Sequence, residues 1–173
     1  MSWFKERRAV LALLVVASFA LGGCGFHPLY ADRTGGAPVK AKLQNVSVSA
    51  PGTSYGRNLK FTLEDLMGAA GNQGTRYQLS LTPTIYETDI AVQQDTEVTR
   101  SNIRMTTPFS LYDQELGEVV FKGTALSVAS YNRVDSEFAN VIATRDAEER
   151  VSNDTARDIY TRLSIFFERQ GRS

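Results

Sequence analysis

A chain of 173 residues with 42% hydrophobic and 22% charged side chains has the size of one domain and the composition of an ordinary globular protein. Its 19 basic and 19 acidic groups cancel, which excludes a general nucleic-acid binder, whose affinity rests on a cationic excess against phosphates. One cysteine and one histidine exclude an internal disulfide and a Cys/His structural zinc site.

Met1 to Arg8 ends in Lys5, Arg7 and Arg8 around the single acid Glu6. The stretch Ala9 to Leu21 (AVLALLVVASFAL) then carries no charge. It is too short for a helix across a bilayer core, which needs ~20 residues. A positive end before a short apolar run is the pattern of a secretory signal peptide. The run closes in Leu21-Gly22-Gly23-Cys24, which resembles the lipobox of bacterial lipoproteins. That resemblance implies cleavage before Cys24, a diacylglycerol on its thiol and an acyl chain on the new amino group. Several chains hold a protein on a membrane because each buried methylene adds ~0.8 kcal/mol. Gly25, where retained lipoproteins have Asp, implies the periplasmic face of the outer membrane. Residues 1–23 are therefore read as a signal peptide, 24–42 as a lipidated start and a polar Gly/Pro-rich tether, and 43–170 as the folded domain.

Val46 and Val48 alternate with polar neighbours within residues 43–50, which predicts a short strand. Pro51 and Gly52 end it. A helix is predicted from about Ser54 to Ala70, with Leu59, Leu63, Leu66, Met67 and Ala70 on one face and Gly71 as its left-handed stop. Three longer strands follow. The first begins at Tyr77, Leu79 and Leu81 and runs on through Ile85 to Val92. The second spans Val98 to Tyr112, with Ile103, Met105, Phe109 and Leu111 inward. The third spans Glu118 to Arg133 and contains Leu126, Val128 and Tyr131, with a bulge between Phe121 and Leu126 where the phase slips. Pro83 and Pro108 belong on edges or bulges. The links at Gln93-Gln94-Asp95 and Asp113 to Gly117 are hairpin-sized. A last helix, from about Asn140 to Arg169, has Ala147, Val151, Ala156, Ile159, Leu163, Phe166 and Phe167 at helical spacing; Ser152-Asn153-Asp154 could interrupt it. The order β-α-β-β-β-α predicts an α+β two-layer sandwich, a four-stranded mostly antiparallel sheet with two helices on one face.

Chemistry-bearing constellations are absent from the sequence. His27 has no second histidine beside it. Glu64 with Asp65 and Glu148 with Glu149 are adjacent helical residues that point in different directions. Nucleophile elbows, phosphate loops and metal-ligand spacings do not occur, so no catalytic residue, metal or cofactor beyond the lipid on Cys24 is expected. Cations that could meet phosphate are Arg100, Arg104, Lys122 and Arg133, on two neighbouring strands; an ordinary solvated face would carry the same residues.

The segment Cys24-Gly25-Phe26-His27-Pro28-Leu29-Tyr30 resembles the mature start of the lipopolysaccharide-assembly lipoprotein family, LptE, in its shorter alphaproteobacterial form. Gly56-Arg57-Asn58-Leu59 is similar to that family's first helix, and Met105 to Leu111 to its third strand. The resemblance implies the fold above and a non-enzymatic plug inside the outer-membrane β-barrel LptD. Such a plug assists barrel assembly and the insertion of lipopolysaccharide into the outer leaflet. It further implies that Phe26, His27, Leu29 and Tyr30 form an anchor segment on the barrel or membrane interface, where amphipathic rings are favoured. Arg100, Arg104, Lys122 and Arg133 become candidate contacts to lipopolysaccharide or barrel. The family's basic contact positions correspond to Gln93-Gln94-Asp95 and Glu137-Phe138-Ala139-Asn140, which hold no cation. A second class fits the same anchor and sandwich: another outer-membrane lipoprotein, activating a cell-wall synthase or serving a lipid transporter. A periplasmic hydrolase, the third class, lacks a convergent nucleophile and base.

Overall fold

The computed structural model describes residues 36–69, 76–90 and 99–171. Cys24, Phe26, His27, Leu29, Tyr30 and the Gln93-Gln94-Asp95 turn lie outside them. The elements in chain order are α1 (Gly36–Gln44), β1 (Val46–Ser49), α2 (Ser54–Met67), β2 (Tyr77–Leu81), β3 (Thr84–Ile90), β4 (Thr99–Asp113), β5 (Glu118–Arg133) and α3 (Glu137–Gln170). The α+β sandwich is present, with helices on one face of an open sheet. None of the described helices is long and apolar enough to cross a membrane.

Among the described residues the sheet has five strands where four were expected, because the run from Tyr77 breaks at Thr82-Pro83. Proline supplies no N–H to a ladder, and β2 ends one residue before Thr82. Both halves still lie along the same edge of β4, β2 against Phe109–Asp113 and β3 against Arg100–Thr106. Pro108 sits opposite the break. Its carbonyl accepts from the Thr82 N–H at 3.0 Å, and its missing N–H faces the gap between β2 and β3. A proline is thus tolerated in the central strand, away from any edge or bulge. β1 joins parallel to β2, and β5 runs antiparallel along the other edge of β4.

Strand β4 alternates with period two: Ser101, Ile103, Met105, Thr107, Phe109, Leu111 and Asp113 are buried, and the residues between them are not. The bulge falls at Val120, since Leu111 pairs with Phe121 and Tyr112 with Val119. Beyond it the phase of β5 never slips. Phe121, Gly123, Ala125, Ser127, Ala129 and Tyr131 face the helices, which leaves Leu126 and Val128 on the opposite face, 54% and 47% exposed. The small side chains facing inward give α3 room to lie on the strand.

Helix α2 begins where expected, at Ser54, because the Thr53 hydroxyl accepts from the Gly56 N–H at 3.1 Å. It stops three residues before Gly71: Gly68 adopts φ 64 and its N–H bonds back to the last turn. Leu59, Leu63 and Met67 are buried, while Leu66 lies at the margin and is partly exposed. Where a tether was predicted, the chain forms α1 from Gly36 onward. Val39 and Leu43, one turn apart, settle on the core, and the Lys42 ammonium lies over the Phe167 ring at 5.8 Å.

Helix α3 runs unbroken through Ser152-Asn153-Asp154. The Ser152 hydroxyl donates to the Glu148 carbonyl at 2.7 Å, sharing that acceptor within the helix instead of drawing the backbone into a turn, and Thr62 of α2 donates to Asn153 at 2.9 Å. Ser136 caps its start. Its apolar stripe closes two clusters. The larger gathers Leu59, Leu63, Leu79, Leu111, Ile159, Leu163 and Phe167. Its Phe167 and Tyr77 rings lie 5.0 Å apart, and Phe121 stacks on Phe166 at 4.8 Å. The smaller cluster holds Ile103, Met105, Ala129, Tyr131, Ala147 and Val151.

The β4–β5 turn is organised by Asp113. Its carboxylate accepts from the N–H groups of Glu115 (2.9 Å) and Leu116 (3.3 Å) and from Arg76, and Gly117 closes the turn at φ 71. Burial pushes the Asp113 carboxyl up, but these donors outweigh it and hold the group below the usual carboxylate range.

Two outcomes follow. At Gly56 an added Cβ would lie 2.4 Å from the Pro51 carbonyl oxygen. The gain of ~1 kcal/mol from helix propensity is outweighed by a clash costing about 1–3 kcal/mol, so Gly56→Ala lowers the urea midpoint; a raised midpoint refutes the close approach. Asp113→Asn loses about 2 kcal/mol at neutral pH. Because the folded carboxyl titrates below its unfolded value of ~3.9, that contribution is complete above pH ~5 and fades as the solution is acidified through the folded value. The gap in unfolding free energy between wild type and variant is therefore flat from pH 7 to 5 and narrows below 4. A gap unchanged at pH 2 excludes the carboxylate charge as its source.

Candidate functional site

Strand parity assigns the four candidate cations to two faces. Arg100 and Arg104 project from β4 on the helix-free side. Lys122 projects from β5 on the same side, paired in register with Ser110. Arg133 does not join them. It stands two residues beyond Tyr131 and shares its helix side, where it forms an ion pair with Asp89 at 3.3 Å. Counting forward by two from the inward Tyr131 would have predicted this placement from the sequence.

Register then defines the helix-free face row by row. Tyr86, Arg104 and Val128 form one row, Thr84, Thr106 and Leu126 the next, and Ile90, Arg100 and Asn132 a third. Ser47, Ser49, Gln78 and Ser80 extend it across β1 and β2. Glu87, Asp89, Asp113 and Glu118 all fall on the other parity. Among the described residues, therefore, the strands present three cations on this face and no carboxylate. Arg100, Arg104 and Lys122 make no ion pair with a described residue. Between them stand half-exposed apolar groups, chiefly Tyr86, Leu126 and Val128. A depression of about 380 Å³ beside Lys122 is floored by Pro108 and Gly123 and rimmed by the hydroxyls of Ser80, Thr82, Ser110 and Thr124.

On the helix side an open cleft of about 650 Å³ separates the outer ends of β3 and β5 from the start of α3. Glu87 accepts from the Tyr131 hydroxyl. Burial and that neighbouring carboxylate both push the Tyr131 phenol up. Asp89 accepts from Ser101 and Arg133, which hold it below the usual carboxylate range despite partial desolvation. These polar groups satisfy one another. Among the described residues no group of three His, Cys, Asp or Glu is placed to hold a metal ion. The cleft was not foreseen: Glu87 and Asp89 lie within a single long predicted strand, and no local pattern brings them to Tyr131 and Arg133.

Phe138, at the end where the last loop was expected, stands in the first turn of α3 and is 77% exposed. With Glu137, Ala139 and Asn140 it offers no cation, as the sequence indicated.

No family model matches the chain, and no curated protein does. Solved structures do. A candidate lipoprotein from Caulobacter crescentus CB15 superposes with a TM-score of 0.65 at 23% identity, over 76% of this chain and 96% of that one. The minor lipoprotein from Acinetobacter baumannii gives 0.55 at 20% identity, over 69% and 90%. Rare lipoprotein B from Shewanella oneidensis gives 0.50 at 9% identity, over 69% and 91%. At these identities the likeness is one of fold: the chain has the α+β sandwich found in these three proteins.

The three outward cations make no ion pair with a described residue, so their charges should contribute little to folding. Replacing Arg100, Arg104 and Lys122 together by Gln leaves the unfolding free energy in urea within about 0.5 kcal/mol per site of wild type. A larger loss would show that the face is held by its charges.

Proposed function

We propose that the chain is a bacterial lipoprotein, cut before Cys24 and anchored through acyl chains to the periplasmic face of the outer membrane. In this reading it serves as the plug and assembly partner of an LptD-type β-barrel that inserts lipopolysaccharide into the outer leaflet. Its work is structural, not catalytic. The observation that carries the reading is the helix-free face: among the described residues it presents Ser, Thr, Asn and Gln side chains with three cations and no carboxylate, interleaved with half-exposed apolar groups such as Tyr86, Leu126 and Val128. A polar barrel lumen is met by such hydrogen-bonding side chains, and guanidinium groups grip anionic oxygens bidentately. Leu21-Gly22-Gly23-Cys24, the Phe26-His27-Pro28-Leu29-Tyr30 segment, and a fold shared with three lipoproteins support the same reading. Phe26, His27, Leu29 and Tyr30 then hold the start of the mature chain at the barrel rim or membrane interface.

Affinity purification from mildly solubilised outer membrane tests it. The expected product is a large β-barrel in equal amount, with Cys24 lipidated by mass spectrometry. Depletion should lower both folded barrel and surface lipopolysaccharide. Recovery of a cell-wall synthase or a transporter with no barrel would establish the other lipoprotein class instead, and an unmodified Cys24 with Met1 intact would refute the anchor.

A further inference from the structure

Each free edge of this sheet exposes backbone groups that another strand could use. Two edges are defended in ordinary ways: β1 is only four residues long, and β3 carries Glu87 and Asp89. Strand β5 is different. It runs for 16 residues, pairs only with β4 among the described strands, and has no charged side chain from Gly123 to Asn132. A long, uncharged edge is a template for strand pairing.

Which backbone groups point outward follows from Pro108. Its carbonyl faces Thr82 on the far edge of β4, so its pair with Thr124 exchanges no backbone hydrogen bond, and the Thr124 N–H and C=O face away from β4. Register is continuous from Phe121 to Arg133, so Leu126, Val128 and Ser130 also face outward. Two of these carbonyls are taken. Arg162 donates to the Thr124 carbonyl and Arg150 to the Ser130 carbonyl, each at 3.2 Å. Both guanidinium groups come from α3 and are aimed by acids one turn earlier, Arg162 by Asp158 at 2.9 Å and Arg150 by Asp146 at 3.0 Å. Thr124 and Ser130 stand three residues to either side of Ser127. The clamps thus bracket a window in which Leu126 and Val128 have no partner among the described residues for either outward group.

We propose that the β5 edge is a self-pairing surface, fitted to a second copy of this chain about a two-fold axis at Ser127, and that Arg150 and Arg162 hold it shut. Antiparallel pairing about that axis sets Leu126 against Val128 of the second copy, an apolar pair that also exchanges both backbone hydrogen bonds. The next pair would be Thr124 against Ser130 of the second copy. Their carbonyls are occupied, and pairing would press Arg162 against Arg150 of the copy, like charge on like. With the clamps in place the ladder stops at the Leu126–Val128 pairs and their symmetry mates, too short to persist. Without them it doubles in length. The charge that the strand lacks is supplied by the helix above it.

The test uses the full chain in density-matched detergent micelles, by sedimentation equilibrium and amide hydrogen exchange. Wild type should remain monomeric. Arg150→Ala/Arg162→Ala should dimerise with affinity at least about tenfold tighter, and the amides of Leu126 and Val128 should exchange about tenfold more slowly. Adding Val128→Pro, which removes an outward N–H and no bond to β4, should restore the monomer. Asp146→Asn/Asp158→Asn changes one exposed and one half-buried side chain, neither in the core, and should shift the equilibrium in the same direction, so the idea stays testable should the double arginine variant misfold. Monomers in both variants with wild-type circular dichroism, or a dimer that survives Val128→Pro, would overturn it.

Discussion

Strand β4 is the constraint on which the molecule turns. Among the described strands it alone has three partners: β5 along one edge, and β3 and β2 in succession along the other. Strict alternation from Arg100 to Asp113 leaves no freedom about which side chains meet the helices, because a slip by one residue would exchange the two faces entirely. Ile103, Met105, Phe109 and Leu111 must go inward for the core to close. Arg100, Arg104, Thr106 and Ser110 then go outward, whatever they do there.

The same parity divides labour. On the helix side acids and bases are spent locally: Asp113 on its turn, Glu87 on Tyr131, Asp89 on Ser101 and Arg133. On the other side three cations are left without acidic neighbours among the described residues, beside apolar groups that gain nothing from water. Exposed apolar side chains are common singly, but here Tyr86, Val128 and Leu126 lie in adjacent rows with Arg104 between them. A face built so suits the contact role proposed for it, in which a chain tethered close to a membrane would present it to a fixed neighbour rather than to bulk solvent.

How far the sequence could be read depended on whether local pattern and tertiary demand agreed. For β1, β4 and the buried stripes of α2 and α3, periodicity and core coincide, so Val46, Leu59, Met105 and Ile159 were legible. In β5 they diverge. Leu126 and Val128 look like core by hydrophobicity, yet the inward positions are Gly123, Ala125, Ser127 and Ala129, because a long helix lies on them and an added Cβ at Gly123 would come 2.8 Å from the Phe109 ring. Size, not polarity, chose the face, and that choice carried Arg133 away from the other cations. Pro108 was misplaced for a related reason: its tolerance comes from the gap at Thr82-Pro83, a tertiary fact that no property of the β4 segment announces. Gly68 and Gly71 are equivalent as sequence signals; capping at Gly68 gives the helix its end.

Helix α3 joins these strands of the argument. One stripe of it, from Ala147 to Phe167, closes both clusters of the core and explains why β5 must be lined with small residues. That lining forces Leu126 and Val128 to the outside and leaves β5 as a long edge without charge. The helix that creates this vulnerability also reaches over it, since Arg150 and Arg162 lie twelve residues apart in sequence and their targets Thr124 and Ser130 lie six apart. At ~1.5 Å per helical residue and ~3.3 Å per strand residue the two spacings are both about 18–20 Å, and the helix runs opposite to the strand, so the clamps come into register without distortion. Packing and edge protection are in this fold a single geometric consequence of laying one antiparallel helix along one strand.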